Sequence, residues 1–471
     1  MNYSIIVKED CATCQLVVPV IKQLQTDDEL TIYSQDNVQF PAGVSVIDDT
    51  ELEYSWRRRI ETVPTLIKFD VNGAEISRVV GWDKNEWQVL TGRPLGFDLP
   101  NFRPGCGSKS VDPGMPEKLS ARFDRDKLQS RQVSVSTEED DIEACYERGW
   151  SDGLPVVPPT AERVMRMLTG TSRSPEEVVG IVPPDLVTCT IEKIAINAVL
   201  AGCKPEYLPV VIASVEAALQ DEFCMHGLLA TTYYSGPLVI VNGPLSRAIG
   251  MNSRGNVLGQ GNRANATIGR ALQLVIRNVG GGKPGGVDRS AFGNPGKYTY
   301  CFAEDETNSC WESLAVEKGF SETASTVTLF AADGMQGIVD QKSRDPESLS
   351  RSFAAALRVV GHPKMILASD AILVVSPEHE RIYRQAGWAK QDVKNYLNKI
   401  LTIDGAELVA GAGGIAEGIP AKLAGKQLPK FREGGLNIVR AGGSAGMFSA
   451  IIAGWGASGS IGSIPVTREI K

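Results

Sequence analysis

Apolar and polar positions along the N-terminal part of the chain fall into short blocks of two different periods. "YSIIV" (Tyr3–Val7) is an apolar run of strand length, and "ELTIYSQD" (Glu29–Asp36) predicts a second strand. Between them "CATCQLVVPVIKQLQ", from Cys11, repeats apolar residues at helical spacing. Pro19 inside that run predicts a kink, because proline brings no N–H and its ring crowds the preceding turn. "DTELEYSWRRRI" predicts a second helix opened by Asp49 or Thr50. "VPTLIKFDVNGAEISRVVGW" (Val63–Trp82) predicts a hairpin turning at Asn72-Gly73, a pair that adopts positive φ at low cost. "DKNEWQVLTG" closes the block as a helix ending at Gly92.

From Arg93 to Asp140 this patterning dissolves into Pro, Gly, Ser and charge, which predicts a linker. A flexible chain of that length would span roughly 35–40 Å, enough to carry a small domain to a neighbouring pocket. Beyond it, helical stretches such as "TIEKIAINAVLAGC", "LPVVIASVEAALQ" and "ANATIGRALQLVIRNV" alternate with short apolar runs. "PLVIVNG", "STVTLFAAD", "AILVVSP" and "LNIVRAGG" are runs of the kind that form strands buried on both faces. The expected fold class is α/β. The expected organisation is a domain over residues 1–92, a linker over 93–140, and a large α/β region over 141–471, built as one or two lobes, with a mostly buried sheet.

Composition narrows the function classes. The 471 residues are 42% hydrophobic and 22% charged, with a net charge of −8. An acidic chain without a basic stripe is not expected to take nucleic acid as its main partner. No apolar run reaches the roughly 18 residues of a membrane span, and "MNYSIIVKED" lacks the features of a signal peptide. A cytoplasmic location and no membrane partner are therefore expected. Nine cysteines, an odd number, suit reduced thiols better than a disulfide scaffold, and the three histidines are too scattered for a multi-histidine metal site.

Candidate chemistry starts at Cys11 and Cys14. A thiolate at the start of a helix is stabilised by unpaired backbone N–H groups, so Cys11 is the expected nucleophile. Cys14, one turn further in, is placed to resolve a mixed disulfide. Glu9 and Asp10 put negative charge beside Cys11 and are expected to oppose its ionisation. A zinc site would need a second Cys-x-x-Cys pair, and the chain has none.

The order strand, Cys-x-x-Cys, helix, followed by "TVPTL" around Pro64, resembles the thioredoxin superfamily, and in size the glutaredoxin-like members. The resemblance covers only residues 1–92. It implies a cis Val63–Pro64 bond facing the cysteine pair. No cofactor beyond that redox-active pair is expected, with a metal ion as the weaker alternative. "DCATC" departs from the Trp-Cys-Gly-Pro-Cys of common thioredoxins.

Other candidates are less specific. Cys106, between glycines in "RPGCGSKS", is expected to be an exposed and mobile thiol able to carry a disulfide between sites. Cys189 in "DLVTCTIEKIAINAV" falls at an expected helix start, with Glu192 as capping partner. Gly259 and Gly261 precede a helix carrying Arg263 and Arg270, a setting that can hold a phosphate or carboxylate. "LNIVRAGGSAGMFSA" predicts a strand, a loop containing Gly443 and Ser444, and a helix. Ligands of open α/β sheets bind beyond the carboxyl ends of strands, which gathers Asn242-Gly243, Ser376, Glu378 and the Gly442–Gly446 loop into one expected rim. Asp152 could face a pocket, and Asn294, Lys297 and Tyr298 are candidate contacts for an anion or carbonyl.

The leading expectation is a thiol-dependent oxidoreductase, whose dithiol passes electrons to a substrate or cysteine held by the large region and is recharged by a cellular thiol reductant. Cys189 and Cys106 are the first internal partners to consider. The substrate would be a small anionic molecule, and a homo-oligomer stays open. The alternatives are a non-redox lyase or transferase on a small anionic metabolite, with the N-terminal block for docking or oligomerisation, and a redox sensor or binding protein without catalysis.

Overall fold

The computed structural model describes residues 2–27, 29–124, 128–136, 138–367, 370–456 and 462–471. The chain divides into two compact units, Met1–Leu128 and Gln129–Lys471.

In the first unit the apolar run near the N-terminus becomes β1 (Asn2–Val7), with Ile5, Ile6 and Val7 fully buried. The chain turns into α1 (Ala12–Leu16) and α2 (Val18–Asp27), one helical run broken at Val17, just ahead of the proline that cannot donate. β2 (Glu29–Ser34), β3 (Ile47–Asp48), α3 (Glu53–Arg57), β4 (Thr62–Val63), β5 (Thr65–Phe69), β6 (Glu75–Val80), β7 (Trp82–Asp83) and α4 (Lys84–Thr91) follow. Asp49, at the expected start of α3, accepts the N–H groups of Tyr54 and Ser55 and the Ser55 hydroxyl.

The sheet order is β3-β2-β1-β5-β6, with β1 parallel to β2 and antiparallel to β5. The central place of β1 accounts for its unbroken burial, since helices or loops cover both faces. α4 stops at Gly92, whose φ of +72° suits a residue without a Cβ.

The stretch read as a linker from Arg93 is largely folded onto this unit. β8 (Phe102–Arg103) pairs with β7, β9 (Cys106–Gly107) pairs with β4, and α5 (Met115–Phe123) follows. Leu95 is fully buried, the Trp82 indole donates to Pro100 O at 2.6 Å, and Gln35 donates to Ser108 Oγ at 2.7 Å. Two-residue strands held through backbone pairing carry no side-chain period, so the pattern along the chain could not reveal them. Residues 125–127 and 137 of the expected linker lie outside the described residues. Near its end, the N–H groups of Gln129 and Ser130 donate to the buried Glu192 carboxylate of the second unit.

The second unit is built on a mixed seven-stranded sheet. Its strands are β10 (Gly236–Asn242), β11 (Cys301–Ala303), β12 (Thr326–Val339), β13 (Ala371–Val375), β14 (Leu436–Arg440), β15 (Phe448–Gly454) and β16 (Val466–Glu469). The order is β11-β10-β12-β15-β13-β14, with β16 added to the first part of β12. Two parallel pairs, β10/β11 and β13/β14, are joined through antiparallel β12 and β15. The long strand β12 changes register between Ala332 and Met335, where its first part pairs with β10 and its second with β15.

The expected near-continuous apolar strands have a direct cause here. Leu238, Ile240, Phe330, Ile372, Val374 and Ile452 share one central cluster contributed by both parts of the sheet. Alternate residues such as Ala371, Leu373 and Val375 face a second cluster with Leu349, Phe353, Val393 and Leu397 of the helices Pro346–Leu357 and Lys390–Ile400. Buried helices Ile191–Ala201, Leu208–Ala218 and Arg263–Asn278 match the expected amphipathic runs. The expected helix after "LNIVRAGG" is instead the strand β15. Its residues Ile451 and Ile452 sit in different clusters, the two-faced burial of a strand.

Candidate functional site

The N-terminal unit concentrates three thiols at one place. Cys11 is the N-cap of α1, in extended conformation, and its Sγ accepts the Cys14 backbone N–H at 3.3 Å. When protonated it donates to Val63 O at 3.5 Å, on the residue before Pro64, and the Val63–Pro64 peptide is cis. Cys106 is the cross-strand partner of Val63 in the β4–β9 pair, which brings the third thiol to the same spot.

The charge state follows from this packing. The Cys14 thiol hydrogen bond is the main influence holding Cys11 down to about 5; burial opposes it, and the Cys106 thiol and the N–H groups of Cys14 and Thr13 assist. Cys14, fully buried, is driven strongly upward, first by desolvation and then by its neighbour Cys11. Cys106 is raised by burial and by Cys11. One thiolate is thus held between two protonated thiols. The expected opposition from Glu9 and Asp10 is not among the influences on Cys11. Both residues are exposed; their backbone N–H groups donate to Asp36, and the Glu9 carboxylate accepts from Asn37.

Two glycines make the arrangement possible. A Cβ on Gly105 would come within 2.7 Å of Val63 O and 2.4 Å of the Thr62 methyl, and one on Gly81 within 2.8 Å of Gly105 N. Only bare backbone lets residues 104–106 lie this close to the Val63–Pro64 loop. Thr13 Oγ1 ties the segment down by donating to Pro104 O at 2.7 Å. Cys11 is left 2% exposed. Cys106 is therefore an anchored neighbour of Cys11, where a mobile carrier was expected. Thr13 and Gly105 were not singled out from sequence, because their roles depend on contacts with residues far away along the chain, Pro104 for Thr13 and Thr62 and Val63 for Gly105.

The remaining candidates are dispersed. Cys189 lies on the strand Val187–Thr190, fully buried, with its thiol pushed up to about 12 by desolvation; Thr190 is the helix cap. Glu192 binds the N–H groups of residues 129 and 130 and does not cap this helix. Arg263 donates to Gly202 O, and Arg270 is consumed by a bidentate pair with Asp152 and by the carbonyls of Leu154 and Pro155. Arg270 is thus not left to face a ligand at the Gly259–Gly261 turn, whereas Arg263 is exposed and uses only its Nε.

The residues of the expected rim each have partners of their own. Asn242 Nδ2 donates to Glu304 and Glu306, and Gly443 lies against Gly255 in a loop bridged at Gly442–Arg254. Ser444 is exposed. Glu378 accepts the Met447 N–H, and the Ser376 N–H donates to Ser449 Oγ. Beneath lies a buried charge network in which Arg440 binds Asp305 at 2.5 Å and approaches Glu380, while Lys390 sits between Glu304 and Glu317. His379 bonds Ser449 Oγ and Asp340 O, but all three residues are buried and Asp340 uses its carbonyl, so this is a packing device.

Among the described residues no group of three or more Cys, His, Asp and Glu side chains is placed to hold a metal ion, and no helix is long and apolar enough to cross a membrane. No known family model matches the sequence, and no curated protein matches it. The fold and the thiol centre define a mixed α/β protein whose N-terminal unit carries a depressed-pKa cysteine.

Proposed function

We propose that the N-terminal unit is a thioredoxin-like thiol–disulfide exchange module and that this chain is a thiol-dependent oxidoreductase. The observation that carries the reading is the Cys11 thiolate, flanked by the protonated Cys14 and faced by the cis-Pro64 loop. In the reductive direction Cys11 attacks one sulfur of a disulfide, forms a mixed disulfide and expels the other sulfur as a thiolate. Cys14 then loses its proton, attacks Cys11 and releases the second thiolate, leaving a Cys11–Cys14 disulfide. Two electrons pass to the substrate, and a cellular thiol restores the dithiol.

A stabilised thiolate favours the reduced form, so the couple is on the oxidising side of the dithiol range. The burial of Cys189 favours a reaction partner other than that cysteine. Incubation of the reduced full chain with glutathione disulfide tests the reading by intact-mass spectrometry. Wild type should pass to an internal disulfide with release of glutathione. Cys14→Ala should accumulate a single glutathione adduct on Cys11, and Cys11→Ala should form none at position 14. An adduct pattern independent of Cys11 would refute it.

A further inference from the structure

We infer that the large unit has a binding site of its own, a cavity of about 560 Å³ that takes a small carboxylate with a flat apolar body. That volume lies in the range of small-molecule sites. The inference stands apart from the thiol chemistry, since every lining residue belongs to the large unit and none is a cysteine.

Charge decides the head group. Four charged side chains line the cavity, and three are accounted for. Lys297 pairs with Asp288 at 2.7 Å, and Asp152 is held by both arms of Arg270. The fourth, Arg277, in the last turn of the helix Arg263–Asn278, has no ion-pair partner among the described residues. A guanidinium that lines a cavity without a counter-charge is a fork for a carboxylate.

The body is set by the walls. Met225, Leu228 and Ile276 give an apolar lining, and Phe292, 88% exposed, with Tyr298 stands at the lining as an uncovered aromatic surface. Gly236 keeps space open, since a Cβ there would come within 3.1 Å of the Lys297 chain.

Titration of the full chain with 4-hydroxybenzoate, followed by calorimetry and ligand-observed NMR, tests the site, with 4-hydroxybenzamide as a neutral mimic of the same shape. Saturable binding of the acid is expected, with the amide about tenfold weaker or more. Arg277→Gln should weaken the acid about tenfold or more. Absence of saturable binding up to about 10 mM, which is weak even for a fragment-sized ligand, would overturn the inference. Equal affinity for acid and amide would also overturn it, and this comparison needs only the wild-type chain. So would a folded Arg277→Gln protein that binds as wild type does.

Discussion

Replacing Cys14 by alanine removes the donor that does most to keep Cys11 ionised. In the wild-type chain Cys11 is lowered from 9.0 to about 5. At pH 7 that corresponds to a thiolate-to-thiol ratio of about 100:1, against about 1:100 for an unperturbed cysteine. The difference is about 5 kcal/mol in favour of the thiolate. A hydrogen bond to a charged group contributes about 1.5–3 kcal/mol, so Cys14→Ala should raise the Cys11 midpoint by about one to two units.

The assay is alkylation of reduced protein by iodoacetamide from pH 4 to 10, read at the Cys11 peptide by mass spectrometry. Because Cys11 is 2% exposed, access slows the reaction at every pH, and the informative quantity is the midpoint of the rate profile. The thermal midpoint of the reduced protein gives an independent check of sign. A folded pKa below the unfolded value means that the thiolate contributes stability above pH 9 and loses it as pH falls through about 5. Cys14 has the opposite sign: its contribution is full below the ordinary thiol value and fades above it. A wild-type alkylation midpoint near 9, or one near 5 that Cys14→Ala does not move, would refute the reasoning.

Three further perturbations separate the parts of the molecule. Cys106→Ala should move the Cys11 midpoint upward by less than Cys14→Ala does, since the Cys106 thiol ranks behind both Cys14 and desolvation; the same alkylation profile checks it. Gly105→Ala has no room for its methyl and should displace residues 104–106. The expected results are faster alkylation of Cys11 at all pH values and a loss of about 1–3 kcal/mol on urea unfolding. Arg440→Met strands the buried Asp305 and Glu380 carboxylates and should cost about 3–5 kcal/mol by urea unfolding, while the Cys11 midpoint stays in place.

Local signals in the chain carried the elements they belong to. The 3.6-residue period over Ile191–Ala201 and Arg263–Asn278 and the apolar runs of β10 and β13 survive in the structure, because each describes a face that must be buried whatever its partner. The same logic failed for "GGSAGMFSA". Small residues there suit either a helix start or a strand, and pairing with β12 and β13 chose the strand.

By itself the sequence determined where the dithiol sits, that a helix begins beside it, and which strands are sealed on both faces. Those features rest on neighbours within a few residues. Only the tertiary structure decided what surrounds them. It laid an apparently featureless stretch along Val63 through backbone pairing, turning Cys106 from a carrier into a neighbour of Cys11. It consumed Arg270 in a pair with Asp152, 118 residues away, and left Arg277 without one. Coulomb and hydrogen-bond terms act over a few ångströms of space, so the pKa of Cys11 and the freedom of Arg277 are fixed by contacts whose spacing along the chain carries no period.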